Sequence, residues 1–277
     1  MAQIGKQPTQ EDYLACRTRP STWRVMHQRW SHLLFLHWRV PKEILQNLLP
    51  ERLAVDTFEG NAYIGIVPFY MSGVRPVGCP SVPGISNFPE LNLRTYVYDT
   101  QTGVPGVWFF SLDAYQYLAV QIARKLFSLP YHYSKIHFSA REDATTEVEF
   151  KCRANLSVPR VLGFQKKIDH SEVSDNRREE SRFKYQVHSE SFQAEPGSLE
   201  FFLVERYVLF STSADKLYMG QVHHEPYPLQ HVHDCEFDTK LVTWYSDALH
   251  TSLEEINNPH KLYSPGVWVD IHNIQQV

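Results

Sequence analysis

Strand-length apolar runs, divided by polar turns and almost never by a helix-length pattern, recur from Trp30 to the C-terminus and leave few architectures open. Ser31 to Val40 reads as a buried strand. Pro41 then stands where a helix starts, its fixed φ suiting a first turn, and helical spacing continues through Ile44, Leu45, Leu48 and Leu49 until Pro50. Strand patterns follow at Leu53–Phe58 and Ala62–Met71 across a Glu59-Gly60-Asn61 turn, then at Leu91–Tyr98 and Val107–Leu112. Ala114–Phe127 carries the clear amphipathic helix pattern, with Tyr117, Leu118, Ile122 and Leu126 on one side. Further strands are expected at Tyr131–Phe138, Glu147–Arg153, Phe183–Ser189, Val208–Ser211, Leu217–His224 and Gly266–Ile271. Short helices are expected after the cap residue Ser198 and over Lys240–His250. There is no βαβ alternation, repeat or linker. The reading is an α+β fold: a single domain over residues 23–277 on a large antiparallel sheet, curled into a β-barrel to remove its edges, with a few short helices. Residues 1–22, polar and without periodicity, are expected to form a loose N-terminal arm.

Composition narrows the function classes. The 277 residues are 43% hydrophobic and 21% charged, enough for a sizeable core. Thirty-one acids against 27 bases, with no basic stripe, argue against nucleic acid as a partner. The densest charge run, Asp175–Glu180, mixes signs and reads as a solvated turn. Trp30–Val40 and Ala62–Met71 are the longest apolar stretches, and both fall short of the roughly 20 residues of a spanning helix, so no membrane contact is expected. The N-terminus has no apolar signal core, and the four cysteines form no C-x-x-C pair, so a reduced, cytoplasmic protein is expected.

Two segments carry candidate chemistry. Gly73–Glu90 holds four prolines and three glycines without regular pattern, the mark of a functional or disordered loop. Directly after it, Glu90, Asn92, Arg94 and Tyr96 share one face of a strand. That face is either solvent-exposed with a Glu–Arg pair or lines a polar cavity in which apolar neighbours raise the pKa of Glu90 for acid–base work. Arg39, inside the aromatic run Leu36-His37-Trp38-Arg39-Val40, needs a partner, either a structural carboxylate or the carboxylate of a ligand. His231 and His233 would point the same way on a strand, but Pro226 and Pro228 make the segment a loop, and no metal site is assigned. The G-x-S-x-G, P-loop and G-x-G-x-x-G signatures are absent.

Taken together, several segments resemble the YqjF-like family of mostly bacterial proteins. They are Trp30–Val40 (Trp-Ser-His-Leu-Leu-Phe-Leu-His-Trp-Arg-Val), Leu49–Asp56 (Leu-Pro-Glu-Arg-Leu-Ala-Val-Asp), Phe88–Val97 (Phe-Pro-Glu-Leu-Asn-Leu-Arg-Thr-Tyr-Val), Pro105–Ala114, Leu129–Tyr131, Gly197–Tyr207 and His224–Leu229. The resemblance covers roughly residues 25–230. More distantly the pattern is similar to acetoacetate decarboxylase, which implies an antiparallel, cone-shaped barrel around a buried site and a homo-oligomer. That enzyme works through a Schiff-base lysine, a glutamate and an arginine. By resemblance Arg39 takes the arginine position and Glu90 the glutamate position. The stretch that should supply the lysine reads Pro130-Tyr131-His132, so the lysine is missing and imine chemistry with it. Lys135 lies about 10 Å further along a strand. The resemblance thus leaves Glu90, Tyr131 and His132 as candidate catalytic residues and Arg39 as a candidate ligand-binding residue, to which the shared strand face adds Arg94 and Tyr96. The expected partner is a small organic acid or carbonyl compound, and no cofactor is implied. Acid–base chemistry on such a compound is one expectation. Non-catalytic binding or sensing of a small ligand is the alternative, and a scaffold acting through oligomer contacts is a third.

Overall fold

The computed structural model describes residues 6–143, 145–154, 179–239, 241 and 258–277. In chain order its elements are α1 (Gln10–Cys16), β1 (Arg24–Val40), α2 (Lys42–Gln46), β2 (Leu53–Val55), β3 (Ala62–Pro76), β4 (Phe88–Asp99) and β5 (Pro105–Ala114). Then come α3 (Tyr117–Phe127), β6 (Tyr131–Tyr133), β7 (Lys135–Glu142), β8 (Thr146–Ala154), β9 (Glu179–Val187), α4 (Leu199–Val204) and β10 (Val208–Ser213). The last are β11 (Lys216–His224), β12 (Gln230–His231), β13 (Asp234–Asp238), β14 (His260–His272) and β15 (Gln275–Gln276). The helix expected over Lys240–His250 and the turn at Asp175–Glu180 fall largely outside the described residues. Among the described residues no helix is long and apolar enough to cross a membrane.

Seven strands close into a barrel in the order β14, β1, β3, β4, β5, β10, β11, with β11 pairing back onto β14 through Val222↔Ile271 and its neighbours. The barrel is mixed: β5 and β10 run parallel, joined at Leu209↔Val107 and Phe210↔Trp108, while the other seams are antiparallel. The parallel seam arises because the chain leaves β5 for α3, β6 and a separate sheet before returning as β10. A parallel pair needs such a long crossover.

Alternation along each strand sorts side chains between two cores. Leu33, Phe35, Val67, Phe69 and Tyr96 fill the barrel interior. Leu34, Leu36, Ile64, Ile66, Leu91 and Leu93 face outward and are covered by a four-stranded antiparallel sheet, β7–β8–β9–β13. Val148, Phe150, Phe183 and Tyr185 of that sheet complete the outer core. Each large apolar side chain so buried contributes about 1.5–3 kcal/mol. Both faces of β4 are therefore enclosed, and all twelve of its residues are buried.

The long strand β1 bends at His32, whose φ is +52°. Opposite the bend, Gly266 adopts φ +130°, and a Cβ there would lie 2.1 Å from the Trp30 carbonyl oxygen. Glycine at this position lets β14 cross β1 at close range. Within the segment expected as a loose arm, α1 forms because Thr9 and Asp12 make a reciprocal capping box, and its Tyr13 hydroxyl donates to Asp56 at 2.7 Å. The irregular loop is shorter than Gly73–Glu90, since β3 continues to Pro76 and β4 begins at Phe88. Val74 donates to the Ser86 carbonyl and Gly73 to Asn87 Oδ1, which carries the hairpin into the loop.

Candidate functional site

The inner row of β4 runs Glu90, Asn92, Arg94, Tyr96, and all four side chains are buried. Strand pairing sets each in its place: Glu90 lies between Phe69 on β3 and Ala114 on β5, and Asn92 between Val67 and Leu112. A bulge after Leu93 moves Arg94 opposite Phe109, keeping its side chain in the lumen. Glu90, Asn92 and Arg94 line a cavity of about 250 Å3 inside the barrel. The rest of its wall is mostly apolar and includes Leu33, Val67, Phe69, Met71, Phe88 and Phe109, with Ile85 and Ile122 contributed by the loop and α3. Among the described residues no lysine lines it.

Glu90 is 2% exposed, and burial pushes its carboxyl up to about 8. Hydrogen bonding from Tyr131 and Asn92 favours the ionised form without offsetting that desolvation, and the nearby Asp113 carboxyl raises the value further. Tyr131 Oη donates to Glu90 Oε1 over a long 3.4 Å, while Glu90 Oε2 is buried without a hydrogen-bond partner. The phenol is itself raised well above its usual range by burial and by Glu90. At neutral pH Glu90 is therefore a carboxylic acid able to donate into a largely apolar lumen. Asp113, pushed up to about 6 by burial, lies on the outward face of β5 and takes a hydrogen bond from Ser134 Oγ at 2.6 Å.

Arg94 forms the inner end of the cavity. Its guanidinium is about 5.6 Å from the centroids of both the Phe35 and Tyr96 rings. Nη2 donates to the Leu203 carbonyl at 3.1 Å and to Tyr96 Oη at 3.4 Å, whereas the buried Nε has no partner. No carboxylate among the described residues forms an ion pair with Arg94. Tyr96 is committed to structure: its hydroxyl donates to the Leu203 carbonyl at 2.7 Å and contacts His37 Nε2 at 2.6 Å. His37 is fully buried, and burial beside Arg94 holds it well below the usual histidine range. Gly65 makes room for it, since a Cβ there would lie 3.0 Å from the His37 ring.

The structure thus brings Glu90, Tyr131 and Arg94 to one cavity, with Tyr96 just behind it. Two expected site residues are elsewhere. Arg39 is exposed near the end of β1, although its neighbours Trp38 and Val40 are buried in the outer core, so it needs no buried partner. His132 sits in register with Asp113 and lines a second groove with Trp108 and Phe110, which Tyr131 also borders, but it does not line the cavity itself. Lys135 opens β7 and is exposed. His231 stacks on Phe192 and His233 on His188, and no group of three metal-ligating side chains occurs among the described residues. Sequence reading missed Gln28 and Tyr227, which also line the cavity, and His37 behind it. For His37 the signal was its parity with Leu33 and Phe35.

Residues 27–268 match the DUF2071 family, described as an uncharacterized conserved protein, and the chain belongs to that family. It is 38% identical over 220 residues to the protein YqjF of Bacillus subtilis (strain 168), covering 79% of this chain and 80% of that one. Solved structures share the fold at much lower identity. Acetoacetate decarboxylase from Legionella pneumophila superposes with a TM-score of 0.57 at 10% identity, covering 94% of this chain and 92% of that one. The enduracididine biosynthesis enzyme MppR, complexed with pyruvate, gives 0.56 at 13% identity, covering 94% and 93%.

Proposed function

We propose that this DUF2071 protein uses the barrel cavity to bind a small carbonyl or carboxylate compound and that Glu90 performs acid–base chemistry on it. The observation that carries the reading is a fully buried carboxyl, pushed up to about 8, with one oxygen unpartnered beside a mostly apolar cavity. A group whose pKa lies near the working pH is suited to both giving and accepting a proton. The neutral acid donates to a ligand carbonyl oxygen, and the Tyr131 phenol holds its other oxygen. Because the stretch Pro130-Tyr131-His132 carries no lysine where the decarboxylase resemblance would place one, the chemistry we favour runs without an imine: enolisation, hydration or hydrolysis rather than Schiff-base decarboxylation. MppR, of the same fold, is solved with pyruvate, which makes a keto acid a natural first ligand to try.

A second reading, binding or sensing without turnover, draws on the position of His132. It alternates away from Tyr131 on β6, so among the described residues that line the cavity Glu90 is the one carboxyl held near neutral pH.

Proton NMR in deuterated water separates the two. Acid–base catalysis requires that the protein accelerate exchange of a bound ketone's α-protons, and that Glu90→Gln reduce the rate by about 10²–10⁴. Saturable binding without exchange favours the sensing reading. Absence of both, with the variant folded, removes Glu90 from any role in ligand chemistry. Borohydride added with a keto acid should leave the mass of the protein unchanged, and a trapped lysine would restore imine chemistry.

A further inference from the structure

Three consecutive inward-facing residues of β4 each carry a buried polar atom without a hydrogen-bond partner: Glu90 Oε2, Asn92 Oδ1 and Arg94 Nε. Buried polar atoms are nearly always satisfied, so three in a row on one cavity wall form an unfinished ladder. At about 3.3 Å per residue, its two ends are separated by roughly 13 Å along the strand. The guanidinium stays in its own row, bonded to the Leu203 carbonyl and Tyr96 Oη. Between the ends the wall is mostly apolar, with Val67, Phe69 and Phe109 flanking β4 and Leu33, Leu209 and Val222 contributed by other strands.

A cation buried to 9% exposure, without a carboxylate partner among the described residues, is costly unless an anion completes it. A ligand as short as a three- or four-carbon keto acid cannot reach Arg94 and Glu90 together. Resting on the reading of Glu90 given above, we infer that the substrate is an elongated oxo acid. Its carboxylate sits on Arg94, an aliphatic chain crosses the apolar stretch, and its carbonyl lies at Glu90 and Tyr131. Allowing about 2.8 Å for the hydrogen bond at each end and an advance of about 1.25 Å per C–C bond in an extended chain, the roughly 7.5 Å that remains calls for about six to eight carbons. Arg94 is then the anchor that sets chain length, and Glu90 the group that acts on the carbonyl.

The test is a binding and exchange series with straight-chain methyl-ketone acids of about four, six, eight and ten carbons, each beside its methyl ester. On the unmodified protein, affinity should rise by up to about fourfold per added methylene until the span is met, then stop rising. The matched acid should bind at least about tenfold tighter than its ester, the difference a charge-assisted hydrogen bond makes. Arg94→Gln should abolish the distinction between acid and ester, raising KM for exchange with little change in kcat, whereas Glu90→Gln lowers kcat. Arg94→Lys, which keeps the charge, should retain part of the preference and shows that the lumen still folds. Equal or better binding of the four-carbon acid, or equal binding of acid and ester, overturns the inference. In either case, exchange that still depends on Glu90 leaves the reading of that residue standing. Absence of binding and exchange for the whole series removes both.

Discussion

Two of the buried carboxylates, Asp56 at 4% exposure and Glu90 at 2%, are enclosed to almost the same degree and treated in opposite ways. Asp56 Oδ2 receives Arg206 Nη1 and Tyr13 Oη, each at 2.7 Å, while Oδ1 takes the Thr57 amide at 3.0 Å. Arg206 in turn lies over the rings of Phe202, Tyr96 and Tyr13 at 4.4–5.0 Å. This is an ion pair walled in by aromatic faces, and it ties α1 and the end of α4 to the barrel. Glu90 has one long phenol contact, an amide neighbour and a nearby carboxyl that raises its pKa further. The same fold can supply a buried acid with a cation, and at Glu90 it supplies none. Protonation, not pairing, makes that burial tolerable, and it leaves an acidic proton beside a cavity.

The contrast breaks most readily at Asp56. Asp56→Ala leaves the Arg206 charge buried and unpaired, with an expected loss of roughly 3–5 kcal/mol in urea unfolding. A loss below about 1 kcal/mol would put the pair on a level with exposed ion pairs and erase the distinction. Glu90 should show the opposite signature. Its folded pKa of about 8 exceeds the ordinary 4.5, so its contribution is complete below the lower value and is lost as pH rises through the upper one. Histidines that burial holds below their ordinary 6.5 tilt stability the other way over the same range, so the comparison is with Glu90→Gln, in which they are unchanged. Between about pH 6.5 and 8.5 wild-type stability should fall by on the order of 1–2 kcal/mol relative to that variant. A slope unchanged in the variant would locate the titration elsewhere.

Smaller effects sharpen the picture. Tyr131→Phe removes a hydrogen bond that favours the ionised carboxylate, so the Glu90 pKa should move further up, seen in carbon-13 titration of labelled glutamate carboxyls. At about pH 9 the same change should cost roughly 1 kcal/mol. Arg39→Ala should alter stability by no more than about 0.5 kcal/mol and leave ligand affinity unchanged. A tenfold loss of affinity in that variant would return Arg39 to the site.

What the sequence made legible follows from what strand alternation can and cannot say. The shared face of Glu90, Asn92, Arg94 and Tyr96 could be read because period two holds along an unbroken strand, and the cap at Ser198 could be read because its hydroxyl serves the Phe201 amide three residues on. Alternation says nothing of where enclosure ends. Arg39 stands between buried Trp38 and Val40 yet is exposed, so the apolar run around it does not reveal that its own face is open. The resemblance points to Tyr131 and His132 together, whereas neighbours on a strand face apart, and of the two only Tyr131 lines the cavity. The Thr9–Asp12 capping box was present in the sequence and was overlooked among polar residues. The parallel β5–β10 seam and the Asp56–Arg206 pair depend on contacts about a hundred or more residues apart, for which no local pattern exists.

Closure of the barrel has a cost in time. Strand β1 pairs with β14 from Arg24↔His272 to His37↔His260, so one of the earliest strands to be synthesised finds a permanent neighbour among the last. Contacts so remote in sequence slow folding, because the loop-closure entropy is spent before the contact returns anything. At roughly 5–20 residues per second, β1 waits many seconds on the ribosome with an apolar, unpaired edge. A nascent chain stopped before His260 would hold the Glu90 strand but lack the last stave of the barrel, and its open edge would be the place where aggregation begins.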